Sequence, residues 1–341
     1  MTVVTLDADL YLDLVGDGDE LAAVEVVAGL LDAGVPAERI MVDLIAATQT
    51  RVGELWAANE WTVAREHAAT ATSERALAYV AAQCPVRPHR GRITIACVDG
   101  EWHALPVRIL AEMLRLDGWR VDFLGPSVPG PHLVAHLHET GPEAVALSCM
   151  LATRLPRAHA AITACRSAGV PVIAGGRGFG PGGRYAQRLG ADAWASDAAE
   201  AVARLASSWP PPSSSHAENG HLGFLGDDEY TFVVRERPSL IATTMSSLAS
   251  SYPTFRAYDQ RQLDATLEDI GHVVDFLASA LYLREPSIFL DFVDWTAQVL
   301  QARGVPPPAL RAGIHAVRAQ LTDFPRALSI LDAGLARLPA R

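Results

Sequence analysis

Apolar residues recur at three- and four-residue intervals from about residue 7 to 83, most clearly in "ELAAVEVVAGLLDAG", "AERIMVDLIAATQTRVGELWAAN" and "TVAREHAATATSERALAYVAAQ". This spacing lines one face of an amphipathic helix and predicts a four-helix bundle over residues 1–85. "CPVRPHRG" closes the helices, and the period shifts to short β-rich runs: "RITIACVD", "WRVDFLG", "AVALSCM", "VPVIAGG" and "ADAWAS". Strands alternating with helices predict a doubly wound parallel sheet over 86–205, with its ligand beyond the carboxyl ends of the strands. "SSWPPPSSSHAENGH" has no apolar period and is rich in Pro and Ser, so 206–222 is expected to be a linker. Helical periodicity then returns in "QLDATLEDIGHVVDFLASALYL", "PSIFLDFVDWTAQVLQARG", "PPALRAGIHAVRAQL" and "FPRALSILDAGLARL", giving an all-α domain over 223–341.

Composition narrows the functional classes. A chain of 341 residues, 50% hydrophobic, has enough apolar mass for two or three cores. Its net charge of -11 disfavours binding to a phosphate backbone, so no nucleic-acid partner is expected. Apolar runs are broken well before the ~20 residues of a membrane span. The start "MTVVTLDADLYLDLVGDGDE" has no basic region or cleavage signal, so the expectation is a cytoplasmic protein with no membrane partner. Cys84, Cys97, Cys149 and Cys165 stand apart in apolar settings without metal-site spacing and read as buried, reduced thiols.

Two stretches carry candidate chemistry. In "LWAANEWTVAREHAAT", Trp56 is followed nine residues later by Glu66 and His67. On one unbroken helix Trp56 and His67 share a face roughly 16 Å apart; otherwise they lie on either side of a bend. In "DGEWHALP", Glu101 and His103 are two apart on the loop after the first strand. A histidine there can ligate a metal through one ring nitrogen while a carboxylate orients the other. The alternative is a solvated loop histidine beside an acid.

Glu101-x-His103 resembles the cobalt-ligating motif of cobalamin-binding domains. "ALSCML", with Ser148, and "IAGGRGFG", with Gly175 and Gly176, fall where that family keeps its later motifs. The resemblance implies that His103 replaces dimethylbenzimidazole as the lower ligand of cobalt. The displaced nucleotide tail then lies in a slot lined by Ser148 and the glycine pair, whose missing Cβ atoms allow close approach. Pro106 departs from the family's glycine three residues after the histidine, although proline is compatible with a first helical turn. The Trp-x9-Glu-His pattern resembles the signature of light-sensing adenosylcobalamin proteins over residues 7–205. This implies that Trp56 shields the adenosyl group beside Glu66 and His67. Ala57 replaces the histidine that ligates cobalt after illumination in the DNA-binding members. Those members also carry an N-terminal winged-helix reader, whereas this sequence opens on the bundle, so output through DNA is not expected.

The C-terminal helices resemble the globin-type sensor fold, most clearly in "FVDWTAQVLQARGVPPPALRAGIHAVRAQ", where the usual haem-ligand position falls near Leu300. The whole arrangement resembles the photocobilins, in which a globin-like domain binding biliverdin follows a cobalamin domain. The resemblance implies a bilin site built from residues such as Arg256, Tyr258, His272, Tyr282 and Trp295. No cysteine follows Cys165, so attachment within that domain is expected to be noncovalent. The resulting expectation is a photoreceptor without catalytic output, signalling through a homo-oligomer or a downstream signalling protein. The alternative is a corrinoid methyl carrier serving methyltransferases, which Trp56 argues against because a bulky ring suits an adenosyl ligand better than repeated methyl exchange.

Overall fold

A computed structural model describes residues 6–207, 209–210 and 228–339. The chain divides into two units, 1–220 and 221–341. Residues 1–85 and 86–205, read from the sequence as separate domains, both fall within the first unit, and most of the linker read at 206–222 lies outside the described residues.

The first unit opens with helices α1 (Ala8–Gly16) and α2 (Glu20–Asp32), whose N-termini are capped by the Asp7 and Asp19 carboxylates. The next helical rod begins with a short turn, α3 (Ala37–Arg39). It continues through a π-helical segment, Ile40–Ala46, into α4 (Ala47–Ala57). The rod ends where Asn59 takes a left-handed conformation (φ 60°), which Asn tolerates better than most residues. Thr62 then caps α5 (Val63–Gln83) by accepting from the Arg65 amide. Trp56 and Glu66 therefore lie on different helices, on either side of a bend, and the unbroken-helix alternative is corrected. Tyr11, Val15, Val27, Ile40, Leu44 and Leu77 fill the core among these helices.

Strands β1 (Arg92–Val98), β2 (Arg120–Val128), β3 (Ala144–Ser148), β4 (Val172–Gly175) and β5 (Ala193–Ala195) form one parallel sheet in the order β2-β1-β3-β4-β5. The connecting and terminal helices are α6 (Ala104–Leu116), α7 (Gly130–Thr140), α8 (Leu155–Ser167), α9 (Arg184–Arg188) and α10 (Ala198–Ser207). Every residue of β3 is buried, as expected for a strand covered on both faces. The strand order reverses between β1 and β3, where ligands bind in such sheets. Helix α6 packs in two directions. Val107, Ala111 and Leu114 join the core against the sheet, while Leu105, Ile109 and Met113 join the core of the preceding helices.

The second unit is all-helical among its described residues: α11 (Asp228–Arg235), α12 (Arg237–Ser251), α13 (Gln260–Leu283), α14 (Ser287–Ala302), α15 (Pro307–Arg318) and α16 (Pro325–Arg337). The last four coincide with the periodic stretches. Helix α12 is obscured in the sequence by Ser and Thr, which compete locally for backbone groups. Its buried Leu240, Thr244 and Leu248 nevertheless recur every four residues. Phe276 and Phe292 stack at 4.1 Å between centroids. The buried Glu229 carboxylate accepts the Ala327 amide at 2.8 Å, which anchors the start of α16.

Candidate functional site

The chain turns at the carboxyl end of β1 through Gly100 (φ 77°), and Glu101 follows with no solvent exposure. A buried carboxylate must be hydrogen-bonded, and this one is. Its Oε1 accepts from the His103 amide at 3.0 Å and from His103 Nδ1 at 2.5 Å. Its Oε2 accepts from the amides of Met150 (2.7 Å) and Leu151 (3.1 Å), on the loop after β3. Burial pushes the Glu101 carboxyl up, but the hydrogen bonds from His103 and Met150 together with the His103 charge outweigh it and hold the group down at about 2. The backbone is braced as well: the Ser127 amide donates to Glu101 O at 2.9 Å, and Ser127 Oγ accepts from the Gly100 amide at 3.1 Å.

An ionised carboxylate on Nδ1 fixes the proton there and leaves Nε2 with its lone pair. The His103 side chain is 55% exposed, so Nε2 is accessible to a ligand from outside the sheet. The hydrogen bond that His103 donates to Glu101 raises the proton affinity of the imidazole against the opposing effect of burial; the Glu101 and Glu66 charges add to the rise and Arg177 opposes it. Glu66 stands in the first turn of α5, on the helical side of the unit. Pro106 stands in the first turn of α6, where a missing N–H costs no helical hydrogen bond, so the departure from glycine is accommodated.

Ser148 pairs with Cys97 on β1 and Gly175 on β4, so the three stand side by side at the ends of neighbouring strands. The two glycines act differently. A Cβ on Gly175 would meet only the Ala195 carbonyl, at an ordinary 3.6 Å, whereas one on Gly176 (φ 103°) would collide with the Cys149 carbonyl. Gly176 is thus required by the protein's own turn, whereas at Gly175 the protein's own packing does not demand glycine. Cys97 and Cys149 beneath the site are buried, and burial with the Glu101 charge raises both thiols, Cys97 to about 12. Cys165 is buried too, while Cys84 is only partly buried, which corrects the reading of four equivalent buried thiols.

On the helical side, Glu66 Oε2 accepts from His67 Nδ1 at 2.5 Å. The Thr70 hydroxyl lies 3.2 Å from Glu66 Oε1 and 3.1 Å from Gln49 Oε1, and Gln49 Nε2 donates to Ser73 Oγ at 2.8 Å. Trp56 is half-buried at the end of α4, which packs on α5. His67 is 74% exposed, on the outer side of the pair. Gln49, Thr70, Ser127 and the amides of Met150 and Leu151 escaped the sequence reading. Backbone amides carry no sequence signal, and Gln and Thr within helices are too common to stand out.

The candidates of the second unit occupy separate surroundings. The Arg256 guanidinium donates to the carbonyls of Ala249 and Ser250. The Tyr258 ring packs tilted against Phe255, with ring centroids 5.2 Å apart. His272 lines an open groove of about 500 Å³ with Arg237, Ile241 and Leu267. Tyr282 lies 4.9 Å from the Tyr230 ring and is pushed up to about 12 by burial. Trp295 on α14 is 48% exposed, and Leu300 stands on the same helix. His272 and Tyr282 are separated along α13 by about 15 Å.

Family models described as B12 binding domain match residues 91–205 and residues 8–81. The HTH-type transcriptional repressor CarA of Myxococcus xanthus is 34% identical over 138 residues, 37% of this chain and 47% of that protein, so the chain spans about half the length of this relative. The trimethylamine corrinoid protein of Methanosarcina barkeri is 25% identical over 201 residues, 57% of this chain and 92% of that one. The solved structure of the monomethylamine corrinoid protein of Methanosarcina barkeri, 20% identical, superposes with a TM-score of 0.52 and covers 58% of this chain and 96% of that one, a likeness of fold. Among the described residues no helix is long and apolar enough to cross a membrane. B12 binding domain models thus match both the sheet that carries His103 and the helices that precede it, and the protein is a cobalamin-binding one.

Proposed function

We propose that residues 8–205 bind adenosylcobalamin and that the protein is a light sensor. The observation that carries this reading is the buried Glu101 that holds His103 at the switch point of the sheet, taken with the signature Trp56-x9-Glu66-His67 on the preceding helices. When bound, the cofactor supplies the photochemistry, a weak cobalt–carbon bond cleaved by light. The chain does the rest. His103 presents Nε2 to the lower side, Glu101 fixes its tautomer and orientation, and the Met150 and Leu151 amides fix Glu101. Ser148 and Gly175, at neighbouring strand ends, would line the place of the displaced nucleotide. Trp56, Glu66 and His67 would hold the adenosyl group, and Ala57 would offer it no imidazole. The C-terminal helices are assigned a globin-like role, holding biliverdin noncovalently through residues among Arg256, Tyr258, His272, Tyr282 and Trp295 and extending the response to longer wavelengths. The protein works in the cytoplasm without catalysis of its own. It signals by a change of conformation or assembly, to another copy or to a downstream protein.

The test is to purify the protein with both ligands and record spectra before and after green and red light. Unchanged cobalamin bands under green light would sink the photoreceptor reading, and a biliverdin spectrum unaltered by mixing would sink the bilin assignment.

One observation favours a second reading, a methyl carrier for methyltransferases: the similarity to the trimethylamine corrinoid protein spans 92% of that protein. Extraction of methylcobalamin, with no adenosyl form retained on reconstitution, would decide for the carrier.

A further inference from the structure

Two arginines beside His103 have guanidinium groups with no partner among the described residues. Arg154 ends a 3-10 turn, Ala152–Arg154, on the loop after β3. Its Nε is buried and makes no hydrogen bond. Its guanidinium lies against Gly100, where an added Cβ would come 3.4 Å from Cζ and Nε. Arg177 begins another 3-10 turn, Arg177–Phe179, directly after the glycine pair, and its side chain is exposed. The two turns pack together, since Gly178 sits against the backbone of Cys149 and Leu151. Arg157, in contrast, is already occupied by Asp99 at 3.1 Å. The chain as a whole is acidic, at -11, and most other arginines in this unit are matched to carboxylates or carbonyls. Two unmatched cations next to a ligand crevice call for an anion, and a buried donor without a partner is costly unless a ligand completes it.

We propose that Arg154 and Arg177 are the anion-binding end of the cobalamin site and hold the phosphodiester that links the corrin to its nucleotide. The inference rests on the cobalamin reading of His103. The corrin's amide side chains are neutral, so the phosphodiester is the group that a guanidinium pair selects, and guanidinium suits phosphate through paired N–H donors. The two arginines stand on the turns that follow the Ser148 and Gly175 strand ends, and the pair makes the site selective for corrinoids that carry the phosphate.

The full-length apoprotein is titrated in the dark with adenosylcobinamide, adenosylcobinamide phosphate and adenosylcobalamin, and affinity is read from the spectral change. Adenosylcobinamide phosphate is expected to bind about tenfold or more tightly than adenosylcobinamide. In an R154Q/R177Q variant this preference shrinks to within about twofold, while adenosylcobinamide binds as before, which shows that the fold is intact. R157Q keeps the preference, and R154K/R177K restores part of it. Equal wild-type affinities, a preference retained in R154Q/R177Q, or one lost in R157Q would overturn the assignment. Tighter adenosylcobinamide binding on adding inorganic phosphate would assign the pair to a free anion and overturn it too. If none of the three corrinoids binds, the cobalamin reading itself fails; if all bind equally, only the arginine assignment does.

Discussion

The first unit and the C-terminal helices are built from similar material, yet only the first gathers its candidate residues. Around His103, the loops after β1 and β3 bring Glu101, Ser148 and two backbone amides together at the carboxyl end of the sheet. In the second unit Arg256, His272 and Tyr282 each engage different neighbours. A parallel sheet collects loops at one end by topology, whereas helices packed side by side spread their polar residues over a surface. Convergence in an all-helical unit needs an interior cavity, and its side chains must be placed by packing alone.

Substitutions in each region can break this contrast. The largest effect is expected from Phe289→Ala, which empties a fully buried ring site and should cost the second unit about 3–5 kcal/mol. Hydrogen exchange should show faster opening of α13, α14 and α16, with adenosylcobalamin affinity unchanged; a loss of cobalamin binding would mean the contrast is drawn wrongly. Ile109→Ala on α6 should cost the first unit about 2–5 kcal/mol and lower cobalamin affinity with it.

Glu101→Gln keeps the shape but removes the charge, and outer partners of a metal-bound histidine are typically worth about 10–100-fold in affinity. The same substitution tests the acid response. The Glu101 carboxyl is held at about 2 against an ordinary 4.5, so its contribution to stability is fully present above 4.5 and is lost as pH falls toward 2. Acid unfolding of the first unit should therefore flatten in that window in the Gln variant, which urea titrations at several pH values can measure. A smaller effect, about 0.5–2 kcal/mol, is expected for Thr62→Ala, which uncaps α5 just before Glu66. The mildest probe is alkylation of the native protein: Cys84 should react first, with Cys97, Cys149 and Cys165 slow because burial raises their thiols. Mass analysis of the early adduct checks it.

The parts legible in the sequence are those in which residue type and spacing coincide with chemistry. Glu101 and His103 are two apart on a loop after a strand, and Ser148 and Gly175, singled out by their resemblance to the cobalamin-binding motifs, end neighbouring strands of the sheet. Helices α13 to α16 follow from an unbroken apolar period. Other features depend on context that a linear pattern does not hold. The π-helical segment Ile40–Ala46 has the same apolar spacing as an ordinary helix. The bend at Asn59 hides inside "WAANEWT", where neither Gly nor Pro announces it. The requirement for Gly176 comes from the Cys149 carbonyl on the loop after β3, and Glu101 also accepts from amides that almost any residue could supply.

The double-sided packing of α6 bears on how this chain can be divided. Cutting it near residue 85, at the visible change of period, would leave the sheet portion carrying Leu105, Ile109 and Met113 as a wet apolar stripe beside His103. The severed piece would be prone to self-association through that stripe, and its histidine loop would lose the helices that steady it from behind. A recombined protein that takes its helices from one relative and its sheet from another must therefore carry over one face of α6 along with the helices, because the seam of the fold runs along that helix and not through the loop before β1.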